Sequence, residues 1–196
     1  MRIDNSKGYL IDFNSLPKHF PTHRHNASFW ESLGRVVATF GFLEETLAKA
    51  IFSFTATKEY SEEEIDEAFS KWIPKLERTL SDPLGNLIDT YGKAVRDNPN
   101  HKIEKLESFL TDLRSASKIR NVLCHGSWRP PNSQEASVPF FINRQNEVFE
   151  TAIDIAFLEQ TQLHVCDLAS SVMNSVTHMG WQFPGSNGPG EIVWNV

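Results

Sequence analysis

The chain has 196 residues, of which 40% are hydrophobic, a size and composition typical of one globular domain that can bury its own core. Its formal net charge of −6 argues against a protein that coats nucleic acid through bulk charge, although a local cationic site remains open. We find no apolar run long enough to span a membrane and no apolar leader, and the cysteines Cys124 and Cys166 fit a reducing compartment. We therefore expect a cytoplasmic protein.

Apolar residues recur at helical spacing through most of the chain, which predicts a mainly all-α fold. The predicted helices span about residues 28–55, 61–80, 84–95, 101–125 and 155–179. Ser61 and Glu64 form a capping box at the start of the second helix, and Gly126 is well placed to end the fourth. The sequence therefore predicts one bundle of four to five helices over residues 28–179.

The segments outside these helices differ in composition. Residues 1–27, which contain two prolines, are predicted to form an irregular N-terminal arm, and residues 180–196, rich in Gly and Pro, an extended C-terminal tail. Two short apolar runs within residues 127–150 flank a polar break, which predicts a small β-hairpin inserted before the last long helix.

Two charged residues lie on apolar stripes of the predicted helices. Arg120 shares a stripe of the fourth helix with Leu113 and Leu123, and Glu44 lies on the inward stripe of the first helix. Because an unpaired buried charge is costly, we expect these two side chains to pair. The pattern leaves open whether the pair only ties two helices together or also supports a catalytic arginine.

A second stripe of the fourth helix carries Arg114, Lys118, Asn121 and His125, spaced by four, three and four residues. Such a strip can hold phosphates and place an imidazole beside one of them. By itself, the pattern favours a simpler interpretation, in which the strip is a solvated helix face ending in a histidine that suits the helix dipole.

The sequence Arg-Asn-Val-Leu-Cys-His-Gly, from Arg120 to Gly126, resembles the signature of HEPN domains, in which an arginine and a histidine four to six residues apart lie near the end of a bundle helix. The segment 34–44 is also similar to the first helix of many relatives, and the resemblance covers residues 28–178. It implies a metal-independent endoribonuclease without a cofactor, acting on RNA as a homodimer. Toxins and antiphage effectors are among such proteins, and an antitoxin or regulatory protein is an implied partner.

The family also includes non-catalytic members that bind RNA, a nucleotide or a regulatory protein, and a purely structural dimerisation domain is a third interpretation. In one toxin–antitoxin group, a tyrosine two residues after the histidine is modified by a partner. Ser127 occupies that position here, which puts this regulation in doubt.

The residue types suggest how such a site would cut RNA. The 2′-hydroxyl is the nucleophile, His125 moves protons, Arg120 binds the non-bridging oxygens, and Asn121 positions a phosphate or ribose. The products would be a 2′,3′-cyclic phosphate and a 5′-hydroxyl. Arg120 and His125 diverge by about 140° on an ideal helix, so two facing copies aim both groups at one phosphate more easily than one helix does.

Other candidate residues carry weaker signals. Trp128 can stack an RNA base, although packing against the hairpin is the more common role of such a residue. His19, His23 and His25 have no carboxylate or cysteine at ligand spacing, so a surface arm is the favoured interpretation and no metal site is predicted. Cys124 has no triad around it, and a small buried thiol is the expected role.

Overall fold

A computed structural model describes residues 8–58, 60–61, 70 and 82–188, and within these ranges the protein is mainly helical. The long helices are α1 (Ala27–Ala56), α2 (Leu84–Arg96), α3 (Leu106–His125) and α4 (Ile155–Thr177), and one 3-10 turn spans Phe13–Ser15. The mainly helical fold predicted from the sequence is confirmed. Apart from Ser61 and Ser70, the helix predicted over residues 61–80 lies outside the described residues.

Side-chain caps begin the two longest helices. The Asn26 side chain accepts a hydrogen bond from the Phe29 N–H at the start of α1, and the Asp154 side chain accepts one from the Phe157 N–H at the start of α4. Each cap satisfies one of the N–H groups that a helix start leaves without a partner. Both helices therefore begin within one residue of the predicted position.

Helix α1 is the centre of the bundle, packing most extensively on α4 and then on α2, whereas α3 packs mainly on α2. The fully buried side chains of this core include Phe29, Val36, Phe40, Leu43, Leu47, Phe54, Ile88, Tyr91, Leu110, Leu113, Val165 and Val172. Burial of each large apolar side chain contributes roughly 1.5–3 kcal/mol, which makes this interior the main source of stability.

Helix α3 begins at Leu106, five residues later than predicted. The cause is Asn98, which is fully buried in the preceding turn. Its side-chain amide donates hydrogen bonds to the Phe54 carbonyl and to Thr57 Oγ1, while its carbonyl oxygen accepts one from the Asn100 N–H. These bonds hold the connection against the end of α1 in a non-helical path.

Residues 127–150 contain isolated antiparallel bridges instead of strands. Ser127 pairs with Phe140, Ser137 with Ile153, and Ile142 with Val148. The part of the chain that the structure describes therefore lacks a continuous β-ladder, and this segment is a set of bridged turns packed beside the end of α3.

Of the extended tail predicted over residues 180–196, the structure describes residues 180–188. Gly180 has a φ of 87°, and a turn at Pro184 and Gly185 interrupts the extended path. Phe183 is buried in the core, and its carbonyl accepts a hydrogen bond from the Ser186 N–H. Burial of this one aromatic ring holds the start of the tail against the bundle.

Candidate functional site

Arg120 and Glu44 meet between α3 and α1. Arg120 Nη2 lies 3.3 Å from Glu44 Oε1, and the two side chains are only 28% and 27% exposed. Each residue occupies the inward stripe of its helix, as the apolar spacing indicated. The structure thus confirms the predicted pairing and places it at a partly accessible position.

The geometry of this pair is that of an ion pair without an aligned hydrogen bond. Glu44 Oε1 is buried and has no hydrogen-bond partner, although the guanidinium is within 3.3 Å. Attraction over this distance does not require alignment, so we interpret the contact as electrostatic. An arginine has five N–H donors, so Arg120 keeps donors for a further acceptor such as a phosphate oxygen.

His125 is the last residue of α3 and is exposed, as are Lys118 and Asn121 on the same side of the helix. Because these side chains face solvent while Arg120 faces α1, a single copy of the helix presents the arginine and the histidine on different sides. The structure therefore brings together Arg120 and Glu44, but not Arg120 and His125.

Arg114 begins the predicted cationic strip and is already paired. Its Nη2 lies 2.8 Å from Asp89 Oδ1 on α2, and both side chains are largely exposed. An exposed pair of this kind is weak, at about 0.2–1 kcal/mol, so a phosphate can compete for the arginine. This competition lowers the expected contribution of Arg114 to RNA binding relative to that of Lys118.

Gly126 ends α3 because its backbone is closely surrounded. A Cβ atom at this position would lie 2.6 Å from the Val122 carbonyl oxygen and 2.8 Å from Pro139 Cβ, and both approaches are sterically prohibited. The Gly126 N–H donates to that same carbonyl at 2.8 Å. The Gly126 backbone is extended, with a φ of −70° and a ψ of 139°, so lack of space, and not backbone conformation, requires glycine here.

Trp128 belongs to an aromatic cluster at the start of α1. Its ring packs edge-on against Phe29, Trp30 and His25, with centroid distances of 5.1, 6.3 and 6.3 Å. Trp128 is half-buried and packs against the core, which favours the packing role over the predicted base-stacking role.

His25 is part of this cluster, unlike the surface arm favoured for it from sequence. It stacks on Phe29 at 4.5 Å, and its Nε2 is buried without a hydrogen-bond partner. Burial lowers the pKa of His25 below its ordinary value because the surroundings disfavour the charged ring. The sequence holds a signal for this contact, since His25 immediately precedes the cap of α1 and meets Trp30, the pair of positions that forms a hydrophobic staple.

The remaining candidate ligands and nucleophiles are scattered. Within residues 8–58, 60–61, 70 and 82–188, there is no group of three or more His, Cys, Asp or Glu side chains that could hold a metal ion. Cys124 and Cys166 are free thiols, and both are exposed. The expectation of a buried Cys124 is therefore wrong, because this residue lies in the last turn of α3 next to the exposed His125.

A cavity of about 340 Å³ lies between α3 and α4. Ile119 and Phe157 form apolar parts of its wall, and Ser115, Gln160 and His164 add polar groups. Its volume is at the lower end of small-molecule sites.

In comparisons with protein-family models, with curated proteins and with solved structures, the chain matched none of them. None of the described helices is long and apolar enough to cross a membrane.

Proposed function

We propose that this chain is a metal-independent endoribonuclease of HEPN type that acts as a toxin or antiphage effector in a bacterial cytoplasm. The observation that carries the proposal is the arrangement at the end of α3, where Arg120 is held beside Glu44 while His125 is exposed five residues later. The proposed fold is a HEPN-like bundle with a small insertion, and the described helices α1 to α4 with the bridged segment before α4 support it.

In the proposed reaction, the RNA 2′-hydroxyl attacks the adjacent phosphorus and the bond to the 5′-oxygen breaks. One imidazole takes the proton of the 2′-hydroxyl, and a protonated imidazole gives one to the leaving 5′-oxygen. His125 supplies the imidazole. The products are a 2′,3′-cyclic phosphate and a 5′-hydroxyl.

Arg120 stabilises the charge that develops on the phosphate. Its donors bind the non-bridging oxygens, while Glu44 keeps the guanidinium charge at a fixed place between the helices. Asn121 and Lys118, both exposed on the His125 side of α3, contact a phosphate or ribose of the same strand. Each of these roles uses a side chain with free hydrogen-bonding capacity.

The proposed enzyme is a homodimer. The core-facing direction of Arg120 and the solvent-facing direction of His125 differ by about 140° around the helix axis. A two-fold arrangement brings His125 of one protomer toward Arg120 of the partner and forms the cleft from two helices. An antitoxin or other regulatory protein is the partner expected to restrain such an enzyme.

The experiment is RNA cleavage by purified protein with total RNA and a metal chelator. We expect wild-type protein to cut RNA under these conditions and His125→Ala to lose about 10²–10⁴ of the rate. Cys124→Ala is the matched control, because it removes the neighbouring exposed side chain and should leave the rate unchanged. Full activity in His125→Ala, or activity that requires an added divalent metal, would overturn the proposal.

The second candidate is a non-catalytic module that binds RNA, a nucleotide or a regulatory protein. The net charge of −6 and the pairing of Arg114 with Asp89 weaken attraction to phosphates, so among these ligands they favour the regulatory protein. Retention of labelled RNA without cleavage, lost in Lys118→Ala, would support this candidate over the enzyme.

A further inference from the structure

The N-terminal arm carries apolar side chains that are open to solvent. Leu10 is 99% exposed, Ile11 84% and Phe13 81%, and Tyr9 beside them is 67% exposed. Single exposed apolar residues are ordinary, but a group of four within five residues is typical of a surface that contacts another protein. From here on, the arm means residues 9–13, which are part of the N-terminal arm predicted over residues 1–27.

The bridged segment after α3 has a second exposed apolar surface, which we call the outer face. Its members, each between 38% and 52% exposed, are Val138, Phe140, Ile142 and Val148. Phe141 and Phe149, on the opposite side, pack against the core. A segment with one face buried and the other in water normally alternates apolar and polar residues. Here both faces are apolar, which indicates that the outer face is also covered.

We propose that the arm of one protomer packs on the outer face of a second copy of this chain, and that the two copies exchange arms. Burial of about 150 Å² by each of the four arm side chains gives about 600 Å² per arm, at the lower end of the range for aromatic residues. The four side chains of the outer face are only 38% to 52% exposed, so each face supplies about 300 Å². Two arms and two faces therefore total about 1,800 Å², within the roughly 1,200–2,000 Å² of a standard stable interface.

The chain between the arm and α1 is anchored beside the segment that carries the outer face. Trp30 Nε1 donates to the Thr22 carbonyl at 2.9 Å, and Asn26 Nδ2 donates to Glu135 Oε2 at 2.9 Å. The arm itself is exposed in the single chain. Exchange about a two-fold axis gives every arm one face and leaves neither surface uncovered, which is why a second copy is the occupant we favour.

The exchanged arm would lie beside the end of α3. Phe140 of the outer face pairs with Ser127, with N–O distances of 3.0 and 2.8 Å, and Ser127 is two residues after His125. Arm exchange thus brings a segment of the partner to the proposed RNA-cutting site. The interface itself does not depend on RNA cleavage, because it is measured by mass and not by activity.

The test measures the mass of the full chain in solution for two charge variants, Ile11→Glu on the arm and Ile142→Lys on the outer face. We expect wild-type dimers, and a dissociation constant at least about tenfold weaker for each variant, because each buries an unpaired charge. Leu163→Glu on α4 is the matched control, since Leu163 is 67% exposed and belongs to neither surface. It should remain dimeric, and circular dichroism checks that all variants stay helical.

Mixing the two variants distinguishes exchange from every other occupant. In a mixed dimer, the glutamate arm of the Ile11→Glu protomer lies on the lysine face of the Ile142→Lys protomer, and the other arm and face are both wild-type. The mixture should therefore dimerise at concentrations where each variant alone does not. A wild-type monomer, variants that remain dimeric, or a mixture that stays monomeric would each overturn the proposal. Wild-type protein that dimerises without any RNA cleavage would support the interface and contradict the proposed function.

Discussion

Removal of the Arg120–Glu44 pair tests whether burial or distance decides the strength of an ion pair in this protein. The perturbation is a double-mutant cycle of Glu44→Ala, Arg120→Ala and the combined variant. The two side chains are about three-quarters buried, and their nearest charged atoms are 3.3 Å apart. The pair therefore lies between an exposed pair, worth about 0.2–1 kcal/mol, and a buried one whose rupture costs about 3–5 kcal/mol.

We expect a coupling free energy of about 1–2 kcal/mol between the two residues, and a destabilisation by Glu44→Ala that exceeds it, because the single variant leaves Arg120 without its partner. The neighbouring pair Glu45–Lys49 on α1 is the control. Its atoms are closer, at 2.7 Å, but the Glu45 side chain is 56% exposed and the Lys49 side chain 38%. An exposed helical pair of this type contributes about 0.3–0.5 kcal/mol.

The measurement is urea unfolding monitored by circular dichroism, with the free energy of unfolding obtained by linear extrapolation for each member of both cycles. Burial predicts that the Glu44 cycle gives the larger coupling, whereas distance alone predicts the larger coupling for Glu45. A coupling for Glu44 and Arg120 equal to or below that of the control would refute the argument from burial.

Three further expectations concern stability. Gly126→Ala should destabilise the protein by about 1–3 kcal/mol, because the new Cβ meets backbone and proline atoms. Gly34→Ala, in open space on α1, should stabilise it by about 0.5–1 kcal/mol, and thermal melts of both variants check these opposite signs. Burial lowers the pKa of His25 in the folded protein, so the residue contributes stability that is present above its unfolded pKa of about 6.5 and is lost as the pH falls through the folded pKa. His25→Gln should therefore flatten the dependence of the unfolding free energy on pH in that window. Tyr91→Phe removes a buried hydroxyl that donates to Ser175 Oγ at 2.8 Å and should destabilise by about 1 kcal/mol, and an unchanged denaturant midpoint would contradict this expectation.

Sequence periodicity was sufficient for the long helices and for one tertiary contact. Helix α1 spans Ala27–Ala56 against a predicted 28–55, because its apolar stripe and its cap are local features of the chain. The contact between Arg120 and Glu44 was also predictable, since an arginine and a glutamate on inward stripes both need a partner. The divergence of Arg120 and His125 likewise follows from the helical period alone.

Tertiary structure decided the features that depend on distant residues. The late start of α3 depends on the Asn98 side chain reaching Phe54 and Thr57, more than forty residues earlier. Trp128, which follows α3, packs against His25, which precedes α1. The residue spacing within neither of these two segments indicates the contact. Only the exposure of the arm and of the outer face identified two apolar surfaces without a partner, since a sequence pattern marks a residue as apolar but does not show whether the fold covers it.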